Sequence, residues 1–159
     1  MELSDILQLG DPRLYEQCAP IQYNELPTLQ PIVDDLAGLI LKFRAQYGAG
    51  RAIAAPQVGI MKRLVVLNID HPIALINPLI FEKSSELFEL WDDCMSFPHL
   101  LVRLKRHSQC KIKFKNLNWE DQEWFLEGDL SELLQHECDH LDGVLATMRA
   151  IDKQSFKWR

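Results

Sequence analysis

The residues best suited to chemistry form one run late in the sequence, Gln135-His136-Glu137-Cys138-Asp139-His140. On a helix, positions i and i+4 share a face, so His136 and His140 can hold one metal ion between them. Glu137 stands beside the first of them, where its carboxylate can reach a water next to that ion and act as general base. The chain has only five histidines, so two at this spacing with a Glu between is a poor match for chance. Leu130, Leu133 and Leu134 precede the run and Gly143 follows it, as a capped helix requires. Asp129 or Ser131 is the expected N-cap.

A catalytic metal site usually takes three protein ligands and leaves a position for water. The pattern H-E-x-x-H-x-x-G-x-x-H would supply the third from a final His, but that position is Ala146. A downstream Glu is equally absent, since the only acids after His140 are Asp142 and Asp152. The first is too close along the chain and the second is a weak candidate. The third ligand is therefore expected upstream, among Cys94, Cys110, Cys18, His71, His99 and His107. Cys94 stands out by its setting, Trp91-Asp92-Asp93-Cys94-Met95-Ser96-Phe97-Pro98, a polar break after an apolar run. Cys18 and Cys110 sit in apolar contexts where packing accounts for them, and His71 follows Asp70 in an apparent turn. Chemistry alone leaves the choice open.

The elements that must position these residues can be read from periodicity. After Pro31, apolar residues at Ile32, Val33, Leu36, Leu39, Ile40 and Phe43 make the stripe of an amphipathic helix, ended by Gly48 and Gly50. Residues 63–69, 73–81, 86–91, 100–105 and 109–114 read as strands. Asp11-Pro12 marks an early turn or helix start. Helix, strands and helix in blocks imply an α+β fold, with mixed or antiparallel strands around a central C-terminal helix carrying the two histidines. No repeat or Gly/Ser linker divides the sequence, so residues 1–159 read as one domain.

The formal charge of −6 argues against a general nucleic-acid grip. Arg103, Lys105 and Arg106 form a short basic cluster that alternates with apolar residues, as a strand with a solvated face does. No apolar run approaches the ~20 residues of a membrane span. Met1–Gly10 lacks the basic start and apolar stretch of a signal peptide, which points to a cytoplasmic protein with reduced cysteines.

Three segments, in order, resemble the peptide deformylase family. Gly50-Arg51-Ala52-Ile53-Ala54-Ala55-Pro56-Gln57 is similar to its motif G-x-G-[Leu/Ile]-A-A-x-Q, and Asp92-Asp93-Cys94-Met95-Ser96 to E-G-C-L-S. Gln135 to Gly143 matches Q-H-E-x-D-H-L-x-G at every defined position. The resemblance runs from Ile6 to Leu145. It implies that Cys94, His136 and His140 bind one divalent metal ion per chain, iron(II) as the native ion, with zinc, nickel or cobalt able to replace it. It implies that Glu137 takes the proton of the attacking water and later gives it to the leaving amine. Gln57 and the Met95 N–H would stabilise the oxyanion, and Gly50, Arg51, Ala52, Ile53, Asp93 and Leu133 would form the substrate pocket. The implied reaction removes formate from N-terminal formylmethionine. The implied partners are nascent peptides, with a transient ribosome contact and neither a membrane nor a specific nucleic acid.

The chain departs from the family pattern at several positions. Ala52 replaces a glycine, placing a methyl where positive φ or close substrate approach is expected. Arg51 and Glu132 replace apolar residues, and are expected to face each other beside the pocket mouth. Asp92 replaces Glu, with Arg106 as its matching partner, and Asp93 replaces Gly, adding negative charge beside a metal ligand. The sequence ends at Trp158-Arg159 without the long C-terminal helix of some members. Two alternatives fit these departures: a related metal amidase for another small N-acylated substrate, or a non-catalytic metal-binding relative.

Overall fold

Three short 3-10 turns, Leu3–Asp5, Pro12–Tyr15 and Tyr23–Thr28, lead into helix α1, Leu29–Tyr47, in the computed structural model, which describes residues 1–159. Asp11 caps the second turn, its carboxylate accepting from the Arg13 N–H at 3.0 Å. Helix α1 begins at Leu29, ahead of Pro31. A proline in the first turn loses no hydrogen bond, because N–H groups there have no intrahelical acceptor.

Eight strands follow: β1 (Ala52–Ala54), β2 (Leu64–Asn68), β3 (Pro72–Phe81), β4 (Leu87–Asp92), β5 (Leu100–His107), β6 (Gln109–Lys115), β7 (Asp121–Glu127) and β8 (Phe156–Trp158). Helix α2, Asp129–Leu141, lies between β7 and β8 in sequence. The strands make two sheets, ordered β1-β2-β3-β6-β7 and β4-β5-β8, with every strand pair antiparallel. The fold is α+β, as expected. No helix is long and apolar enough to cross a membrane.

Strand β2 is buried at every position, which a strand covered on both faces requires. Leu64 and Val66 join the apolar cluster of Leu36, Leu39 and Ile40 from α1. Val65 and Leu67 join Leu133, Leu134 and Leu141 from α2. The larger sheet thus has a helix on each face. Helix α2 also contacts β5 of the smaller sheet, and ten of its thirteen residues are buried. An amphipathic surface helix would bury about half, so α2 is a core element.

Strands β1, β7 and β8 fall outside the periodicity reading. Strand β7 is an edge strand whose alternate residues face solvent, and β8 is exposed throughout, held by its pairing with β5. The N-cap of α2 is Gly128, with φ 59° and ψ −123°, rather than Asp129 or Ser131. The chain turns from β7 into α2 through a conformation that side chains disfavour. Ser131 lies inside the helix, its hydroxyl donating to the His107 carbonyl at 2.8 Å. The basic cluster of β5 also departs from expectation. Arg106 shares the inward face of Val102 and Leu104 and is buried.

Gly143, just past α2, has φ +71°, and a Cβ there would lie 2.5 Å from the Tyr15 carbonyl oxygen. Gly143→Ala should therefore cost on the order of 2–4 kcal/mol from left-handed strain and backbone overlap. That corresponds to a drop of roughly 4–16 °C in Tm. An unchanged melting curve would show that the segment around Tyr15 is not held against the end of the helix.

Candidate active site

Helix α2 places Glu132, His136 and His140 four residues apart on one face. Two other segments close on that face: the chain entering β1 and the turn leaving β4. Together they enclose a cavity of about 360 Å³, whose walls include Gly50, Arg51, Gln57, Cys94, His136 and Glu137.

The ligand atoms of Cys94, His136 and His140 lie within 4.8 Å of one another, and all three residues are buried. Cys94 Sγ is 3.4 Å from His140 Nε2, which is 3.2 Å from His136 Nε2. Nitrogen and sulfur atoms sharing one tetrahedral ion at about 2.0–2.3 Å stand roughly 3.3–3.6 Å apart. Two of the three separations therefore match ligands of a single metal ion, and the third, Cys94 to His136, lies within 4.8 Å.

Asp92, at the end of β4, fixes the orientation of His136. Its Oδ2 stands 2.8 Å from His136 Nδ1 and also accepts from Arg106 Nη2 at 2.9 Å. Arg106 Nη1 reaches Asp139 at 3.1 Å, and Arg149 clamps the same carboxylate. Burial disfavours the Asp92 charge, but His136 and Arg106 outweigh it and hold the carboxyl far below the usual range. Burial likewise opposes charge on His136, yet Asp92 and the Cys94 sulfur raise that ring well above the ordinary imidazole value. With its Nδ1 held by Asp92, the ring turns Nε2 to the ligand cluster. Burial and the neighbouring His136 hold His140 well below the imidazole range, so that ring is neutral.

Glu137 is buried, with one carboxylate oxygen lacking any hydrogen-bond partner. Burial pushes its pKa up to about 7. Gln57 anchors its Oε1 on the Ala54 N–H at 3.0 Å and turns Nε2 towards Cys94 Sγ, at 3.5 Å, and Ser96 Oγ, at 3.1 Å. The Met95 N–H, in the same turn as Cys94, donates to no backbone carbonyl.

The structure brings most of the expected pocket together and corrects parts of it. Gly50, Arg51, Ala52, Asp93 and Leu133 line the cavity, but Ile53 does not. Strand alternation turns Ile53 to the opposite face of β1, where it packs in the core under α1. Ala52 pairs with Leu67 in ordinary strand geometry and has no positive φ, so the expected backbone conflict is absent. Arg51 Nη2 donates to Glu132 Oε1 at 2.8 Å, so these two residues do face each other. Asp93 is paired with Arg159, so it does not stand as a free charge beside Cys94.

Of the other upstream ligand candidates, Cys18 and Cys110 are buried outside the cluster, and His71 is exposed. His99 stacks with Trp158, and His107 Nδ1 stands 2.7 Å from the Ser84 carbonyl. Arg44 and Ser96 enter the site without having been singled out in sequence. Arg44 Nε donates to the Gly50 carbonyl at 3.0 Å, fixing the cavity mouth. It lies one turn after Ile40, beside the apolar stripe of α1, but its partner is visible only once the chain entering β1 is placed.

A family model described as polypeptide deformylase matches residues 3–156. The chain belongs to the peptide deformylase family. The peptide deformylase of Acidobacterium capsulatum is 36% identical over 160 residues, covering 94% of this chain and 87% of its own. The crystal structure of the Thermotoga maritima peptide deformylase matches with a TM-score of 0.83 at 33% identity, covering 92% of this chain and 97% of that one. A Synechococcus elongatus peptide deformylase in complex with actinonin matches with a TM-score of 0.81 at 29% identity, covering 94% of this chain and 80% of that one. The chain is accordingly a hydrolase that removes the N-formyl group from nascent peptides.

Asp92 orients a metal-site imidazole, so Asp92→Asn should weaken metal retention about 10–100-fold in a chelator competition. The same change leaves Arg106 short of a counter-charge, which should cost about 3–5 kcal/mol in denaturant unfolding. Retention equal to wild type would mean that His136 is held by packing alone.

Proposed function

We propose that Cys94, His136 and His140 hold one divalent metal ion, and that Glu137, Gln57 and the Met95 N–H hydrolyse N-terminal formylmethionine beside it. The observation that carries this reading is a single buried place holding three convergent donors, a carboxylate oxygen without a partner and the Gln57 amide. A thiolate and two imidazoles suit iron(II), zinc, nickel or cobalt, and family likeness favours iron(II). When bound, such an ion supplies Lewis acidity, making a water acidic near neutral pH and polarising a carbonyl oxygen.

The chain's own groups then divide the proton and charge transfers. Glu137 takes a proton from the attacking water as its oxygen bonds to the formyl carbon. The carbonyl electron pair moves onto oxygen, where Gln57 Nε2–H and the Met95 N–H donate to the developing charge. Glu137 passes its proton to the amide nitrogen, the oxyanion pair re-forms the carbonyl as the C–N bond breaks, and a free amine and formic acid leave, the acid losing its remaining proton to become formate. A carboxyl that titrates near neutrality can make both transfers.

A substrate made by translating ribosomes supports the reading of a cytoplasmic enzyme. Of the β5 basic cluster, Lys105 alone is exposed without an ion-pair partner, so that cluster offers a ribosome a single charge.

Protein with one metal ion per chain should release formate from formyl-Met-Ala-Ser. Metal-loaded protein that releases none would overturn the proposal. Glu137→Ala should retain the metal and lose on the order of 10²–10⁴ in kcat. Gln57→Ala should lose on the order of 10²–10³. The pH profile carries a further expectation. Protonated Glu137 cannot accept a proton, so kcat/KM should fall as pH falls through its pKa. Burial sets that value at about 7, and a nearby cation lowers it. The acid limb should therefore lie at or below about 7, and one well above it would assign the base elsewhere.

A further inference from the structure

The cavity beside Cys94, His136 and Glu137 has a charged wall. Arg51 and Glu132 pair across it at 2.8 Å, with the Glu132 side chain 9% exposed and that of Arg51 38% exposed. The pair thus runs from the mouth into the interior. Glu132 stands one helical turn before His136, with about 5–6 Å between Cβ atoms at that spacing. The side chain of a formylated first residue begins three bonds from the reacting carbon, so it falls within reach of this turn.

The pair keeps unused hydrogen-bonding capacity. Only Oε1 of Glu132 and Nη2 of Arg51 have a protein partner. Glu132 Oε2 is left to accept, and Arg51 Nε and Nη1 are left to donate. Apart from Glu137, the other charges at the cavity are engaged: Arg44 on the Gly50 and Asn68 carbonyls, Asp93 on Arg159, and Asp92 on Arg106 and His136. A side chain entering here meets a neutral ion pair with both a donor and an acceptor exposed.

We propose that Arg51 and Glu132 read the first side chain and broaden the substrate class. The site accepts N-formyl peptides whose first residue is a polar chain of methionine's length, glutamine or methionine sulfoxide, nearly as well as formylmethionine. An amide or sulfoxide oxygen accepts from Arg51, and an amide N–H donates to Glu132 Oε2. A thioether is only a weak acceptor and leaves both groups without a strong partner. This inference rests on the site being a deformylase.

An apolar seat would favour Met over its near-isostere Gln by on the order of 10–100-fold. The test compares kcat/KM for formyl-Met-Ala-Ser, formyl-Gln-Ala-Ser and the sulfoxide peptide, on wild type and on an Arg51→Ile, Glu132→Ile variant. Wild type should favour Met over either polar residue by less than about tenfold, and the double variant should raise the Met:Gln ratio about tenfold or more. A wild-type ratio of ten or more, or a folded double variant with an unchanged ratio, overturns the proposal. Should the double variant fail to fold, the wild-type ratio decides alone. If wild type releases no formate from any of these peptides, the deformylase reading falls. That outcome overturns this inference with it, whereas formate release at a Met:Gln ratio of about ten or more overturns the inference alone.

Discussion

The Asp92 carboxylate joins three elements in the interior of the protein. It ends β4, accepts from Arg106 of β5 and meets His136 of α2, within 2.9 Å in each case. Taking these charges out of water is expensive, and removing one partner would strand the others in a low dielectric. Complementary contacts offset that cost: Asp139 takes the second Arg106 nitrogen, and Arg149 closes the far side. The smaller sheet is thereby locked to the helix at a defined register. The same bonds set the tautomer of His136 and aim Nε2 at Cys94 and His140. Scaffold and site share one set of interactions.

A polar helix at the centre of a fold must satisfy its side chains locally. Gln135 does so by bonding both ways with the β5–β6 turn, accepting from the His107 N–H at 3.1 Å and donating to the His107 carbonyl at 2.8 Å. His136 uses Asp92. Two groups on the helix remain without partners, one oxygen of Glu137 and Nδ1 of His140. Native interiors tolerate few such groups, and here they cluster beside the three convergent donors. Glu137 forgoes a hydrogen bond where the chemistry needs an available lone pair, whereas Nδ1 of His140 lies behind the ligand nitrogen and is an unpaired donor.

The cavity mouth shows how neighbouring residues neutralise charge without removing polarity. Arg44 from α1 holds the Gly50 carbonyl, and Arg159 from the end of the chain pairs with Asp93. Arg51 leans across to Glu132 on α2. The last two pairings join segments far apart in sequence, so the electrostatics of the site follow from the fold rather than from local composition.

The sequence by itself determined the chemistry that depends on spacing. His136, Glu137 and His140 sit at helical intervals, and the stripe of α1 and five of the strands follow from apolar periodicity. Three ordered motifs were enough to point to the family and to Cys94. What depends on which face meets which neighbour was decided only by tertiary structure. Ile53, inside a motif, turns into the core because β1 alternates. Arg106, in a basic cluster, turns inward because it shares a face with Val102 and Leu104. Strands β7 and β8 carry little apolar signal, since pairing with β6 and β5 rather than burial holds them. The Asp93–Arg159 and Arg51–Glu132 pairs cross 66 and 81 positions. Spacing along one helix is a local property of the chain, whereas a contact between distant segments exists only once the sheets and helices have packed.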